Sequence, residues 1–378
     1  MSEEEKKEYN ISEETEKWLK NKQIEIEKEE WRKKFYLSII LFSGITILII
    51  LISIVIFIIF KNFNSSKNLI KKYENSNRII HLAEFPEYDF PPDEKYSNEY
   101  LQRVKVGYRQ MKTMKVVIAG LARDIENIIV RNIRKIERLG KYFKDYRIIL
   151  LENDSEDSTR EKIKMIAGKS NKIILLSCLE DYDCKLGMSR NISRRIVDDK
   201  RIQRLARLRN RLLNYAKSKY YDFDYLIMID LDFAGPISED GFATSFSYKG
   251  WDVMTANGVI NQLFTSKFQN LFYYDTLSFI PFNVKPRTKF DKKLIYQTPS
   301  IQFDLKRGKP PLRVSSAFAG AAIYNMKSLI NSRAYYNPYP YFYYSEHASL
   351  HLMLKDRGYD HIYINPNWII LHSIEKLL

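Results

Sequence analysis

Tyr225-Leu226-Ile227-Met228-Ile229-Asp230-Leu231-Asp232 decides the fold. Five apolar residues running into acidic ones describe a strand buried on both faces that ends in a polar crevice. Side chains two apart on a strand share a face, so Asp230 and Asp232 point the same way. Two carboxylates so close repel each other unless a cation lies between them. Oxygen ligands suit Mg²⁺ or Mn²⁺, which also bridge the phosphates of a nucleotide. The earlier pair Asp222 and Asp224 has the same spacing but precedes the apolar run, at the wrong end of the strand.

Upstream, apolar runs alternate with helical spacing. Val116-Val117-Ile118-Ala119 predicts a strand, and Ile125, Ile128, Ile129, Ile133 and Ile136 predict a helix over 124–138. Further strands are expected at 147–151 and 172–176, with helices at 158–166 and 199–217. This alternation predicts an α/β domain whose sheet is mostly parallel, Rossmann-like and flanked by helices. In such sheets ligands bind at the C-terminal strand ends. Two of those ends are polar. One is Leu121-Ala122-Arg123-Asp124; the other is Glu152-Asn153-Asp154-Ser155-Glu156-Asp157-Ser158-Thr159. The segments Ala119 to Arg123 and Glu152 to Asp154 are expected to line a nucleotide pocket, although short polar side chains there also cap helices. On the helix before the Asp230 strand, Arg204, Arg207 and Arg211 share one face, with Arg209 and Asn210 between them and Leu205, Leu208 and Leu212 on another. Guanidinium groups match phosphate oxygens, so Arg207 or Arg211 is placed near a diphosphate.

An acidic Asn-Asp-Ser-x-Asp-Ser-Thr turn (153–159), a Leu-Ala-x-x-Arg-Asn-Arg helix (205–211) and a strand ending in Asp-x-Asp resemble a GT-A fold glycosyltransferase. The likeness is to the fungal capsule-associated alpha-mannosyltransferases and spans about 115–378. It implies a 113–378 transferase domain, with a nucleotide-sugar half (113–234) and an acceptor half (235–378). The implied donor is a nucleotide sugar, GDP-mannose above others, and the implied acceptor a glycan or glycoprotein hydroxyl. By the same resemblance Gly320, within Ser316-Ala317-Phe318-Ala319-Gly320-Ala321-Ala322, lies against donor and acceptor. His372 joins Asp230 and Asp232 as a metal ligand, and Glu346 or His347 faces the acceptor hydroxyl. The family pattern often has Asp where this chain has His347, and inversion or retention at the sugar is left open.

The N-terminal third reads differently. Residues 35–60 carry no charge, and about 20 apolar residues cross a hydrocarbon layer of roughly 30 Å. A basic cluster at Arg32, Lys33 and Lys34 predicts a signal anchor with the tail (1–34) cytoplasmic. The expectation is a single-pass type II membrane protein of the Golgi, ER or another endomembrane, held to the membrane via 35–60. Residues 61–112, with Pro86, Pro91 and Pro92, read as a stem.

The 378 residues carry 61 Lys and Arg against 46 Asp and Glu, a net +15 that favours anionic partners. Cys178 and Cys184 are too few for a disulfide framework or a four-thiolate zinc site, and whether they pair is left open. Two rival readings arise. His347 and His351, four apart, have a zinc-binding spacing but lack the Glu that a metalloprotease base requires. The arginines from Arg190 to Arg211 suggest nucleic-acid binding, but no zinc-finger or aromatic RNA-binding signature accompanies them, so no nucleic acid is expected. A homodimer is left open. Asn64, Asn153 and Asn191 begin glycosylation sequons, and a glycan on Asn153 would block the proposed pocket.

Overall fold

The computed structural model describes residues 17, 24–25, 27–37, 53, 84–177, 199–260, 272–285, 305–338 and 345–372. The chain divides into two units, Met1–Lys71 and Lys72–Leu378. In the first unit residues 27–37 are helical. Exposed pairs of Lys33 with Glu29 (3.7 Å) and Lys34 with Glu30 (3.9 Å) lace this helix at i,i+4 spacing. Among the described residues no helix is long and apolar enough to cross a membrane. That overturns the expected single-pass type II localisation: the described helical run is rich in Glu, Lys and Arg. The 35–60 stretch itself lies outside the described residues except for Phe35, Tyr36, Leu37 and Ser53.

The second unit is built on ten strands. They are β1 (Lys115–Ala122), β2 (Asp145–Glu152), β3 (Ile173–Ser177), β4 (Tyr225–Ile229), β5 (Val253–Ile260), β6 (Phe272–Tyr273), β7 (Ile280–Pro281), β8 (Leu312–Ser316), β9 (Ala321–Asn325) and β10 (Ile362–His372). The helices are α1 (Ser97–Met111), α2 (Ile129–Gly140), α3 (Thr159–Ala167), α4 (Asp199–Lys219), α5 (Glu239–Thr244), α6 (Met326–Ser332) and α7 (Glu346–Asp356). The sheet order is β3-β2-β1-β4-β9-β5-β10-β8-β7, with β6 on β5. The α/β expectation holds, and the elements from β1 to β4 fall within a few residues of their predicted places.

The sheet is mixed, which corrects the mostly parallel expectation. Strands β3, β2, β1 and β4 run parallel. Strand β9 then enters antiparallel between β4 and β5, and β8 lies antiparallel to β10. An apolar run does not encode strand direction. Strands β8 and β9 both run against β5 and β10, and between them Ala319 (φ 52°) and Gly320 (φ 90°) both adopt left-handed conformations.

Alternate residues feed two cores. Val117, Ala119, Ile149, Leu151, Leu226 and Met228 pack with Leu208, Leu212, Leu213 and Ala216 of α4. Val116, Ile118, Ile148, Leu150, Ile227 and Ile229 pack with Ile129, Ile133 and Ile136 of α2. The period of two sorts each strand between the faces. Just past β4, Leu231 joins the α2 side, while Asp230 reaches Arg209 of α4.

The described part of the 61–112 stretch is not an extended stem. Helix α1 buries Tyr100, Val104, Gly107 and Met111. A Cβ on Gly107 would lie 1.9 Å from the Ala243 carbonyl oxygen, so α1 meets the α5 backbone where only glycine fits. Buried Arg307 fastens α1 and the segment before it through the Phe90 carbonyl (2.6 Å), Glu87 and the Tyr100 hydroxyl. A turn rich in proline hid this docking, because the contacts come from residues more than 200 positions away.

Candidate functional site

Three elements meet at the C-terminal end of β4. The start of β9 pairs with the end of β4, Ala321 opposite Ile229. The Asp230 N–H donates to the Gly320 carbonyl at 2.9 Å. A Cβ on Gly320 would lie 2.7 Å from His372 Nε2, so this glycine gives the imidazole at the end of β10 its room. Tyr274 stacks on His372 with ring centroids 3.8 Å apart. Burial, then Asp232 and Asp230, hold the Tyr274 phenol well above its ordinary range, which places it beside both carboxylates.

Arg209 lies at the centre. Its Nε donates to Glu346 Oε1 and its Nη2 to Asp230 Oδ1, each at 2.7 Å. Its side chain is 6% exposed, and its guanidinium lies over the Phe318 ring at 5.2 Å. Burial works against its charge, but Asp230 and Glu346 overcome that and raise it. Among the described residues Nη1 has no hydrogen-bond partner. Burial pushes Asp230 up to about 7, with Arg209 opposing and Asp232 and Asp275 reinforcing the shift. Asp275, at φ 62°, is pushed up to about 6, first by burial. It accepts from Ser278 Oγ, whose oxygen lies 2.5 Å from Ser345 Oγ, the residue before Glu346.

Helix α2 fixes the loop that carries Asp232. Asn132 Nδ2 donates to the Leu231 and Phe233 carbonyls, both at 2.8 Å. Arg131 reaches Ala234 O at 2.6 Å and Lys135 reaches Gly235 O at 3.0 Å. Burial lowers the Lys135 ammonium to about 7, with Arg131 and Arg138 adding repulsion. Three side chains on one helix thus hold four carbonyls of the loop, those of Leu231, Phe233, Ala234 and Gly235. At the other end of β4, Asp222 pairs with Lys115 Nζ at 2.6 Å and Asp224 accepts from Lys115 N at 2.8 Å. That pair anchors the strand start.

The predicted residues divide. Asp230, Glu346 and Gly320 come together, with His372 against Gly320. Asp232 follows on an exposed turn. Ala119 does not reach the crevice: it is fully buried in mid-strand, opposite Ile149 and Met228. Glu152 is also fully buried and turned inward, accepting from Arg160 Nε at 2.5 Å and Ser155 N at 2.8 Å. Arg123 and Asp154 remain at the strand ends, 3.5 Å apart. Much of the acidic turn caps the neighbouring loop: Glu156 N donates to Asp124 at 2.8 Å and Glu126 N to Asp157 at 2.9 Å. Arg207 is half-buried and Arg211 exposed; the arginine that enters the site is Arg209.

Asn153 is 1% exposed and its Nδ2 donates to Asp154 at 2.7 Å, which leaves no room for a glycan in the folded domain. Cys178, Cys184, Asn64, Arg190 and Asn191 lie outside the described residues.

The two α7 histidines are not a zinc pair. His351 Nδ1 lies 3.0 Å from Ser316 Oγ and its Nε2 2.9 Å from Tyr324 Oη, so both nitrogens are engaged. His347 is 2% exposed and lies flat on Phe318 at 3.3 Å. Its Nε2 is 3.5 Å from Glu346 Oε1. Burial lowers His351 to about 3 and holds His347 well below its usual value. A histidine depressed in the fold takes a proton only in the unfolded chain between pH 6.5 and 3, so its contribution to stability falls as pH falls through that window. The slope is about 1.4 kcal/mol per pH unit for one such group. Asp230 and Asp275, raised in the fold, act in the opposite sense. A His351→Gln comparison therefore isolates the effect: urea unfolding at pH 6.5 and 4.5 should show a shallower acid loss in the variant, and equal slopes would refute it.

Among the described residues no three His, Cys, Asp or Glu side chains converge to hold an ion. Asp230, Asp232 and His372 are therefore not a closed three-ligand set. What fits a divalent ion is the donor chemistry, two carboxylates two residues apart at the end of β4.

No family model and no curated protein matches the chain. Solved structures do, at low similarity. TarS 1–349 of S. aureus is 12% identical with a TM-score of 0.40, over 70% of this chain and 62% of that one. GalNAc-T7 with UDP, GalNAc and Mn²⁺ is 10% identical at 0.41, over 69% and 43%. The mannosyltransferase PcManGT from Pyrobaculum calidifontis, in complex with GDP-Man and Mn²⁺, is 10% identical at 0.39, over 74% and 66%. The chain spans less than two thirds of each of these, and at such scores the likeness assigns no activity.

Proposed function

We propose that the chain is a divalent-metal-dependent glycosyltransferase of GT-A type, moving a sugar from a nucleotide-sugar donor to a hydroxyl of a glycan or glycoprotein. The observation that carries this reading is the Asp230–Arg209–Glu346 bridge. It joins a carboxylate at the end of β4, where an α/β sheet binds its ligands, to a carboxylate opening a helix of the C-terminal half. The resemblance in the 153–159, 205–211 and 230–232 motifs supports the same class, and within it the donor is GDP-mannose.

Asp230 and Asp232 would hold Mn²⁺ or Mg²⁺, with His372 nearby. When bound, such an ion stabilises the charge on a departing nucleoside diphosphate. The chain's own residues do the rest. Gly320 and Arg209 fix Asp230, and α2 fixes the loop bearing Asp232. Glu346 has Oε1 engaged by Arg209, leaving Oε2 to meet the acceptor hydroxyl. There it takes the proton in an inverting reaction, or orients the hydroxyl in a retaining one. Arg123 and Asp154 border the nucleotide side.

The test is a panel of GDP-mannose, UDP-GlcNAc, UDP-GalNAc and UDP-glucose with Mn²⁺, read by thermal shift and donor hydrolysis. GDP-mannose should stabilise the chain most. Failure of every nucleotide sugar to bind would end the enzyme reading.

A further inference from the structure

We infer that Arg209 is a positioning residue that couples Glu346 to the cation affinity of Asp230. The inference rests on the reading of Asp230 as a cation ligand and concerns how that ligand is controlled. Arg209 is a single buried cation shared by two carboxylates from separate parts of the chain, 21 and 137 residues further along it. Its Nε and Nη2 each make one bond of 2.7 Å, so the same guanidinium balances both charges. The arrangement is not explained by stability: a buried ion pair seldom outperforms packed apolar residues of the same volume.

The geometry gives Arg209 two opposed effects. A divalent ion on Asp230 competes with the guanidinium for carboxylate charge, so Arg209 weakens cation binding. Glu346 draws on the same guanidinium and thereby leaves more of the Asp230 charge for the ion. Loss of the Glu346 charge commits Arg209 more fully to Asp230 and lowers cation affinity. The acceptor side of the site thus reports to the donor side through one side chain. The Phe318 ring under the guanidinium, 5.2 Å away, holds the fork in plane while the sharing shifts. Its unpartnered Nη1 is left to meet a bound ligand.

The experiment is a double-mutant cycle on the full chain, read as Mn²⁺ affinity by electron paramagnetic resonance with Mn²⁺ alone. Arg209→Met should tighten Mn²⁺ binding by about tenfold, and Glu346→Gln should weaken it by about fivefold, within the usual range of coupling between sites. In the Arg209→Met background, Glu346→Gln should have little further effect. A purely structural role for Arg209 would instead weaken Mn²⁺ binding as the site loosened. Should Arg209→Met fail to fold, Arg209→Lys closes the same cycle, because one ammonium does not reproduce the divergent fork. An undiminished Glu346→Gln effect without Arg209, weaker binding in Arg209→Met, or no Mn²⁺ uptake by the wild type would overturn the coupling. Failure of the function reading looks different: intact Mn²⁺ coupling in a chain that binds no nucleotide sugar.

Discussion

Asp232→Ala should abolish transfer, lowering it on the order of 10³-fold while thermal unfolding stays close to wild type. The size follows from removing a charge that holds the stabilising group at the departing diphosphate; deleting one such preorganised contact typically costs 10²–10³ or about 3–4 kcal/mol. The intact fold follows from position. Asp232 is exposed on a turn whose carbonyls are carried by Asn132, Arg131 and Lys135, none of which depends on its side chain. Exposed substitutions of this kind change stability within about 0.5 kcal/mol. Asp230→Asn is the contrasting variant. It removes the partner of buried Arg209, so it should lose stability as well as transfer. Transfer by Asp232→Ala at wild-type rate, in buffer first stripped of metal and then given Mn²⁺, would remove Asp232 from the site.

The first half of the fold was legible because its strands are short apolar runs with helical spacing between them, and period counting finds both. Ile129, Ile133 and Ile136 face the core as the spacing required. What the sequence could not convey was strand direction after β4, since Ala321-Ala322-Ile323-Tyr324 reads the same either way. The site shows a sharper limit. Arg204, Arg207 and Arg211 share a face, yet the first two are only half-buried and Arg211 is exposed. Arg209 has Leu205, Ala206, Leu212 and Leu213 at its three- and four-residue neighbours, an apolar setting that marks a buried position. A charge inside an apolar stripe demands a partner, and Asp230 and Glu346 supply it. Asn132 carries the same signal, with Ile128, Ile129 and Ile136 around it. Asp275 had no such mark: its place depends on a left-handed turn and on Ser345, 70 residues on, which only the folded chain brings near.

Glu346→Gln should cut transfer about 10²–10⁴-fold, the span attributed to one positioned proton-transfer group, while donor affinity at saturating Mn²⁺ stays near that of the wild type. The substitution keeps the shape and one acceptor oxygen for Arg209 Nε, so what it removes is charge. Glu346 opens α7, where the helix N-terminus favours a carboxylate. His347, the other residue expected to face the acceptor, is flat against Phe318 and held neutral by burial. Of the two, Glu346 alone is joined to the β4 carboxylate through Arg209. If Glu346 takes the acceptor proton, the product is inverted and the loss reaches the upper end of that range. If it orients the hydroxyl instead, the configuration is retained and the loss falls at the lower end of that range. Determining the anomeric configuration of the product by nuclear magnetic resonance separates these routes. A variant with unchanged kcat at saturating donor but a raised donor KM would place Glu346 on the nucleotide side and end the acceptor assignment.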